Sequence, residues 1–194
     1  PAHDFVVDPN YFKENIMGGD HEFKFGFEYK TAKLHTFSSY GNGVEVVDYN
    51  QTVPGGPFTS GIVYAQHWID GHVKLDRASF YATDTFRKNR LTLNLGFRFD
   101  HQTGKNLESS IPGVPGFESV VGALDFPGND PGITFNDFSP RIGATYDVTG
   151  DGKTVIRGNF AKYYDALNNA FISYNNPTFV YNGAILSYTN LDGD

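Results

Sequence analysis

The sequence contains no cysteine, and its 15 Lys and Arg residues are outnumbered by 22 Asp and Glu residues, giving a net charge of −7. The missing thiols exclude a disulfide scaffold, a Cys-based zinc site and thiol catalysis. The acidic balance argues against a nucleic-acid binder, which needs a basic surface stripe. No run approaches the roughly 18 apolar residues of a membrane-spanning helix, so a helical membrane protein is excluded as well.

Aromatic residues, in contrast, are abundant. Eighteen Phe, twelve Tyr and one Trp make up 16% of the 194 residues, whereas charged residues make up 19%. This composition is too rich in large apolar side chains for a disordered acidic segment. The mean hydropathy of −0.38 is compatible with a membrane β-barrel, because barrel strands alternate between apolar and polar residues.

Apolar and polar residues alternate with a period of two in several segments, which predicts β-strands with two different faces. In the first such segment, Phe23, Phe25, Phe27 and Tyr29 share one face and charged residues occupy the other. The predicted spanning strands cover residues 21–37, 75–86, 90–101, 138–148, 154–164 and 178–189.

The connections between these strands alternate between short and long. Short turns lie at 18–20, 87–90 and 149–153, and long connections at 38–74, 102–137 and 165–177. An up-and-down meander places all the short turns at one end, as in outer-membrane barrels with short periplasmic turns and long extracellular loops. Within the first long connection, Ile62-Val63-Tyr64 predicts a strand extension or a hairpin. The Pro and Gly residues between 109 and 132 predict little long regular structure there.

Alternation alone fits a soluble β-sandwich with a buried aromatic face or a membrane barrel with a lipid-facing one. Strands of about 9–12 residues match the length needed to cross a bilayer. The opposite face carries ionised groups that suit a hydrated lumen, namely Glu22, Lys24, Glu28, Lys30, Arg98, Asp100, Arg141, Asp147 and Arg157. We therefore predict an all-β fold, an antiparallel up-and-down transmembrane β-barrel segment of about six strands.

Four segments resemble strands and turns of TonB-dependent outer-membrane receptors: Asp20–Tyr29, Asn89–Asp100, Phe138–Asp147 and Gly150–Arg157. The loop 104–137 resembles the Oar-like subgroup of these receptors, and the whole resemblance extends over residues 18–164. It implies a larger barrel of about 22 strands, with a plug domain and a TonB-contacting segment. Such receptors import scarce ligands with energy passed through TonB.

On this resemblance, residues 1–194 are expected to be part of one barrel domain, with no plug domain present. The start at Pro1 and the end in a polar turn at Asp194 also favour a piece of a larger chain. The expected location is the outer membrane. The expected partners are outer-membrane lipid, the remainder of the barrel, a plug, and TonB through parts not present here, but no nucleic acid.

We expect no catalytic activity, since no nucleophile elbow, P-loop or dinucleotide fingerprint occurs. The expected function is that of a segment of a TonB-dependent transporter or receptor that moves a scarce ligand across the outer membrane. The alternative is a soluble β-sandwich that binds carbohydrate or peptide, or a structural surface protein. The ligand itself is not readable from the sequence.

Five residues are candidate ligand contacts in the lumen or loops: Arg98, Asp100, Arg141, Tyr163 and Tyr164. Each also has a simpler interpretation. The charged residues fit a ladder of ion pairs across neighbouring strands, and the tyrosines fit an aromatic girdle at the membrane interface.

No cofactor is expected, although Asn190, Asp192 and Asp194 are candidate calcium ligands because they partly match a D-x-[DN]-x-[DN]-G loop. Asn stands at the first ligand position, so a plain polar turn is the favoured interpretation. The six histidines show no zinc-site spacing with a nearby carboxylate. We expect them to be structural or exposed.

Overall fold

The alternating sequence forms β-strands over most of the chain in the computed structural model, which describes residues 2–39, 41, 43–51, 54, 56 and 58–189. The strands in these residues are β1 (Ala2–Val7), β2 (Asn10–Ile16), β3 (Gly19–Ser38), β4 (Val44–Gln51), β5 (Phe58–Gln66), β6 (Ile69–Lys88), β7 (Leu91–Asn106), β8 (Ser109–Ile111), β9 (Leu124–Phe126), β10 (Thr134–Asp147), β11 (Val155–Ala161) and β12 (Gly183–Thr189). One short helix, α1 (Asn169–Ser173), and a 3-10 turn (Pro177–Phe179) accompany them. Among the described residues, no helix has the length and apolar character needed to span a membrane.

The chain divides into two compact units. The first comprises Pro1–Lys33, Leu75–Gly104 and Gly132–Asn168, and the second comprises Leu34–Lys74, Lys105–Pro131 and Asn169–Asp194. The strand order of the large sheet is β1-β3-β6-β7-β10-β11, with β2 also paired to β3. Every strand pair with a described register is antiparallel. The predicted all-β antiparallel fold is therefore confirmed.

The first strand of the large sheet was not predicted from the sequence. β1 pairs with β3 from Ala2↔Ala32 to Val7↔Phe27, and β2 continues along the same edge from Asn10↔Lys24. β1 and β2 thus act as one edge strand interrupted at Pro9, whose carbonyl still accepts the N–H of Phe25 at 3.1 Å. Proline has no N–H to donate and is tolerated at a sheet edge. The interruption divides the segment into two pieces that are too short to be recognised as spanning strands from the sequence.

In the pairing of β7 with β10, apolar residues lie opposite apolar residues. Leu95 lies opposite Ile142, and Phe99 lies opposite Phe138. The side chains between them along each strand point to the other side of the sheet, because the period of a strand is two. We call the first side the aromatic face; its exposed large members include Phe25, Phe27, Tyr29, Phe80, Leu95, Phe99, Phe138, Ile142, Tyr146, Ile156 and Phe160. We call the opposite side the charged face; it includes Lys24, Glu28, Arg77, Ser79, Asn94, Arg98, Asp100, Arg141 and Arg157.

The turn between β10 and β11 forms as the Gly-Asp-Gly sequence predicts. The Asp147 carboxylate accepts the N–H of Gly150 at 2.8 Å and of Gly152 at 2.9 Å, and both glycines have positive φ, which suits residues without a Cβ. Within the turn, a hydrogen bond from the Thr149 hydroxyl lowers the pKa of Asp151 to about 2, with further help from Lys153.

One predicted strand has a different partner from the expected one. The sequence predicts residues 178–189 as the sixth spanning strand, continuing the meander after β11. The structure corrects this, because β12 pairs with β5, from Gly183↔Gln66 to Thr189↔Ser60. Local alternation predicts that a segment is a strand but does not specify which distant edge it joins.

The predicted long loops also contain more structure than expected. In the second unit, β12, β5 and β4 form a three-stranded sheet, and β8 pairs with β9. β5 contains the predicted Ile62-Val63-Tyr64 strand. A small core of Ala65, Val114 and Val121 is buried here. Between residues 109 and 132, regular strand structure is limited to the short β8 and β9, in keeping with the Pro and Gly content.

Buried amides hold the connecting segments of the second unit together. The Asn106 side-chain amide donates to Asn129 Oδ1 at 2.7 Å and to the Ile172 carbonyl at 2.8 Å. Asn176 in turn donates to Asn106 Oδ1 at 3.0 Å and accepts the N–H of Thr178 at 2.9 Å. Because Asn176 is 1% exposed, these bonds satisfy polar atoms that would otherwise be costly to bury.

Candidate functional site

The charged face of the large sheet carries a cluster of ionised side chains from three neighbouring strands. Glu28 lies on β3, Arg77 and Ser79 lie on β6, and Arg98 and Asp100 lie on β7. Within β6 and β7 the paired members are two residues apart, so each pair shares one face of its strand. The strand order places β6 between the other two, which brings the five side chains into one group.

Arg98 is the centre of this group, which we call the charged cluster. Its Nε lies 2.9 Å from both carboxylate oxygens of Asp100. Its Nη2 donates to Glu28 Oε2 at 3.0 Å and to Ser79 Oγ at 2.8 Å. The other Glu28 oxygen accepts from Arg77 Nη2 at 2.5 Å, and the Ser79 hydroxyl donates to Asp100 at 2.5 Å.

The charged cluster is balanced, with two guanidinium groups facing two carboxylates. The ionised side chains retain between 14% and 31% of their exposure, so they are partly withdrawn from water. Charge-assisted hydrogen bonds of this kind are short and directional. The arrangement therefore matches the ladder interpretation for Arg98 and Asp100, since Nε and Nη2 of Arg98 and both Asp100 oxygens are engaged within the sheet.

Arg141 lies on the same face but in a different environment. Its guanidinium carbon is 5.3 Å from the centre of the Tyr163 ring, within the range of a cation–π contact. Within the described part of the chain, Arg141 makes no ion pair, so its hydrogen-bond donors are available to another molecule. Beside it, Lys162 Nζ lies 4.5 Å from the centre of the Tyr164 ring.

A cleft of about 230 Å³ brings together all five candidate ligand residues. Arg98 and Asp100 form one part of its wall, and Arg141, Tyr163 and Tyr164 form another, together with Gln102, Asp137 and Ser139. A second cleft of about 390 Å³ shares Arg141 and Tyr163 with the first. These two residues are therefore the candidates best placed to contact a ligand, since Arg98 and Asp100 are bound to each other.

The remaining site predictions have different outcomes. Asp147 lies on the charged face, but its carboxylate caps the turn after β10 and takes no part in the charged cluster. The candidate calcium ligands Asn190, Asp192 and Asp194 lie outside the described residues.

Arg77 and Ser79 were not predicted from the sequence as members of the charged cluster. A signal was present, because both alternate with Phe80 and Ala82 on the same predicted strand and so belong to its polar face. Their partners could not be read from the sequence, since Glu28 is 49 residues away from Arg77. Only the strand register brings the two together.

Comparison with known protein families gives a match. The sequence model of the family described as outer membrane beta barrel domain matches residues 13–193. Comparison with curated proteins gives no match, and comparison with solved structures gives none either.

Proposed function

The chain belongs to the outer membrane beta barrel domain family, and from this premise we propose that it forms part of a TonB-dependent transporter of the Oar-like subgroup. In this proposal the protein moves a scarce ligand across the outer membrane with energy passed through TonB. Family membership itself confirms the predicted barrel class and the location in the outer membrane. TonB dependence and transport are the further steps that the proposal adds.

The difference between the two faces of the large sheet is the observation that carries the proposal. On the aromatic face, Phe138 and Ile142 are each 52% exposed and Ile156 is 64% exposed. The opposite face carries the charged cluster. A lipid-facing wall around a hydrated lumen requires this combination, whereas a soluble β-sandwich buries its apolar face against a second sheet. The sandwich alternative is therefore not favoured.

Two polar pairs also lie on the aromatic face, where each acid has a hydrogen-bond partner. His21 Nδ1 is 2.7 Å from Asp84, and the Tyr29 hydroxyl donates to Asp76 at 3.3 Å.

The sequence motifs support the finer assignment to TonB-dependent receptors. The segments Asn89–Asp100 and Phe138–Asp147, which resemble strands of these receptors, form neighbouring parts of β7 and β10. The segment Gly150–Arg157 supplies the turn and the start of β11. The order and spacing of these motifs are the basis for choosing this receptor class among outer-membrane barrels.

The site then has two roles in the proposed transporter. The charged cluster stiffens the wall, because its charges are already paired within the sheet. Arg141 and Tyr163 contact the ligand or the plug from the wall, because the cation is not engaged in an ion pair with the described residues. We propose no catalytic role for any of these side chains. The proposed partners are outer-membrane lipid, further strands of the barrel, a plug and TonB.

Binding of TonB is the experiment that tests the proposal. The full-length protein, purified in detergent micelles, is mixed with the periplasmic domain of TonB, and binding is measured by interferometry. We expect saturable binding, which competing TonB-box peptide abolishes. A porin purified in the same detergent is the control and should not bind. If the full-length protein binds TonB no better than the porin, it is an outer-membrane barrel of another kind.

A further inference from the structure

Two histidines and one aspartate meet at the ends of β3 and β6 that adjoin the long connection between them. His35 lies near the end of β3, and Asp70 and His72 lie near the start of β6. Asp70 and His72 are two residues apart and so share one face of their strand. All three belong to the second unit. Among the described residues, this is the only group of three metal-ligating side chains whose ligand atoms lie close together, all within 4.8 Å of one another.

Both imidazoles point to the same carboxylate oxygen. His35 Nε2 lies 2.7 Å from Asp70 Oδ1, and His72 Nε2 lies 3.2 Å from the same atom. The two rings stack with their centroids 4.2 Å apart and their planes 7° from parallel. Two nitrogens and one oxygen therefore surround a single small volume.

A divalent transition-metal ion fits this arrangement of ligand atoms. Each neutral imidazole binds through the Nε2 lone pair with its proton on Nδ1, and the carboxylate supplies a negative oxygen ligand. With metal–ligand bonds of about 2.0 Å, the ligand atoms of a tetrahedral zinc site are separated by about 3.3 Å. The observed distances of 2.7 and 3.2 Å require only a small opening of the group, together with a tilt of the stacked rings.

The backbone of the two β6 ligands is fixed from outside the strand. The carbonyl oxygen of His72 accepts the N–H of Leu107 at 2.9 Å, and the carbonyl of Asp70 accepts the Ser109 hydroxyl. The side chains nevertheless remain reachable, since His35 is 53%, His72 37% and Asp70 26% exposed. An ion can therefore enter without unfolding the site.

We propose that His35, Asp70 and His72 form a binding site for a divalent transition-metal ion, with zinc as the matching ion. Three protein ligands leave a fourth tetrahedral position open for water or for a group on another molecule. One carboxylate and two nitrogens do not suit calcium or magnesium, which take six or more oxygen ligands. The site does not depend on TonB or on transport, and it differs from the sequence-based expectation that the histidines are structural or exposed.

Zinc titration of the full-length protein tests the site. The protein is freed of metal with a chelator, kept in detergent micelles without a histidine tag, and titrated calorimetrically with Zn²⁺. We expect H35Q and H72Q each to lose one equivalent of binding or to weaken it at least tenfold. D70N keeps both imidazoles and should also weaken binding at least tenfold. H101Q is the matched control, because His101 bonds to Asn136 elsewhere, and it should bind as the unmodified protein does.

Copper spectroscopy provides a second measurement that identifies the ligands. One equivalent of Cu²⁺ should give an electron paramagnetic resonance spectrum with hyperfine splitting from two imidazole nitrogens, which H35Q and H72Q each reduce to one. Circular dichroism of each variant establishes that it is folded. Unchanged zinc stoichiometry and affinity in folded H35Q and H72Q overturn the proposal, as does a copper spectrum that these substitutions leave unaltered.

Discussion

Arg98 is the residue on which the charged cluster depends, because it bonds to Glu28, Asp100 and Ser79 at once. The substitution R98M keeps the aliphatic stem but leaves two carboxylates facing each other. Hydrogen bonds to charged groups contribute about 1.5–3 kcal/mol each when buried, and partial exposure reduces this. We therefore expect a loss of about 1–2 kcal/mol in the free energy of unfolding, measured by guanidinium titration of the full-length protein in lipid vesicles.

The control for this prediction is R157M. It removes the same charge from the same face, but Arg157 is exposed and has no ion pair within the described part of the chain. Its effect should stay within about 0.5 kcal/mol, as for most surface substitutions. If both variants lose the same free energy of unfolding, the ion pairs of the charged cluster stabilise the protein no more than an unpaired surface charge does.

A second prediction concerns Gly26, where β3 and β6 approach each other closely. Gly26 lies beneath the Tyr81 ring, and a Cβ added there would be 2.0 Å from a ring carbon. The Tyr81 hydroxyl is held by Asp8, so moving the ring breaks this bond. We expect G26A to lower the free energy of unfolding by about 1–3 kcal/mol, the usual effect of overpacking.

The comparison is G143A on the same charged face. There the nearest atom to an added Cβ is the Asn94 Cβ at 3.7 Å, an ordinary contact. We expect a change under about 0.5 kcal/mol in the same guanidinium titration. If G26A is as stable as G143A, then Tyr81 does not pack on Gly26 in the folded protein.

At the scale of the strand, β7 carries side chains that face opposite sides of the sheet. Phe99 is 39% exposed on the aromatic face opposite Phe138, and Asn94 points to the other side. Arginine near the bilayer midplane costs about 2–4 kcal/mol on a lipid-facing position. We therefore expect F99R to lose this amount in vesicle unfolding titrations, whereas N94R, facing the hydrated side, should be tolerated. Equal tolerance of both variants would contradict the assignment of faces.

The strands that could be predicted from the sequence are those with an uninterrupted two-residue period. β3, β7 and β10 have this period over more than one bilayer crossing, and Gly150-Asp-Gly152 marks the turn after β10. β1 and β2 were missed because Asp8-Pro9 interrupts their pattern. The partner of β12 was misassigned because pairing is decided by distant edges and not by local alternation.

The same distinction applies to the sites. Arg98 and Asp100 were predictable as members of one polar face, since both lie on one strand. The contact of Arg98 with Glu28 was not predictable, because it depends on the register of strands 70 residues apart. The group of His35 with Asp70 and His72 escaped for the same reason. Their spacing of 35 residues and more carries no metal-site signature until the two strands are paired.

For the whole molecule, the large sheet is open within the described residues. The strand β11 forms one edge, and the joint strand of β1 and β2 forms the other. Unpaired backbone groups in hydrocarbon cost several kcal/mol each, so these edges require strand partners in the membrane. Because the chain belongs to a family of outer-membrane barrels, we infer that the sheet is a section of a closed wall with its aromatic face towards lipid.

The accessibility of two labelled positions tests this orientation most directly. Nitroxide labels are attached at I142C on the aromatic face or N94C on the charged face, in full-length protein reconstituted in lipid vesicles; the sequence described here has no cysteine of its own, and any elsewhere is replaced. Relaxation by oxygen, which concentrates in lipid, should dominate at I142C. Relaxation by a water-soluble chromium complex should dominate at N94C. If the label at I142C is reached by the chromium complex, or by neither reagent, the aromatic face does not meet lipid and the account is contradicted.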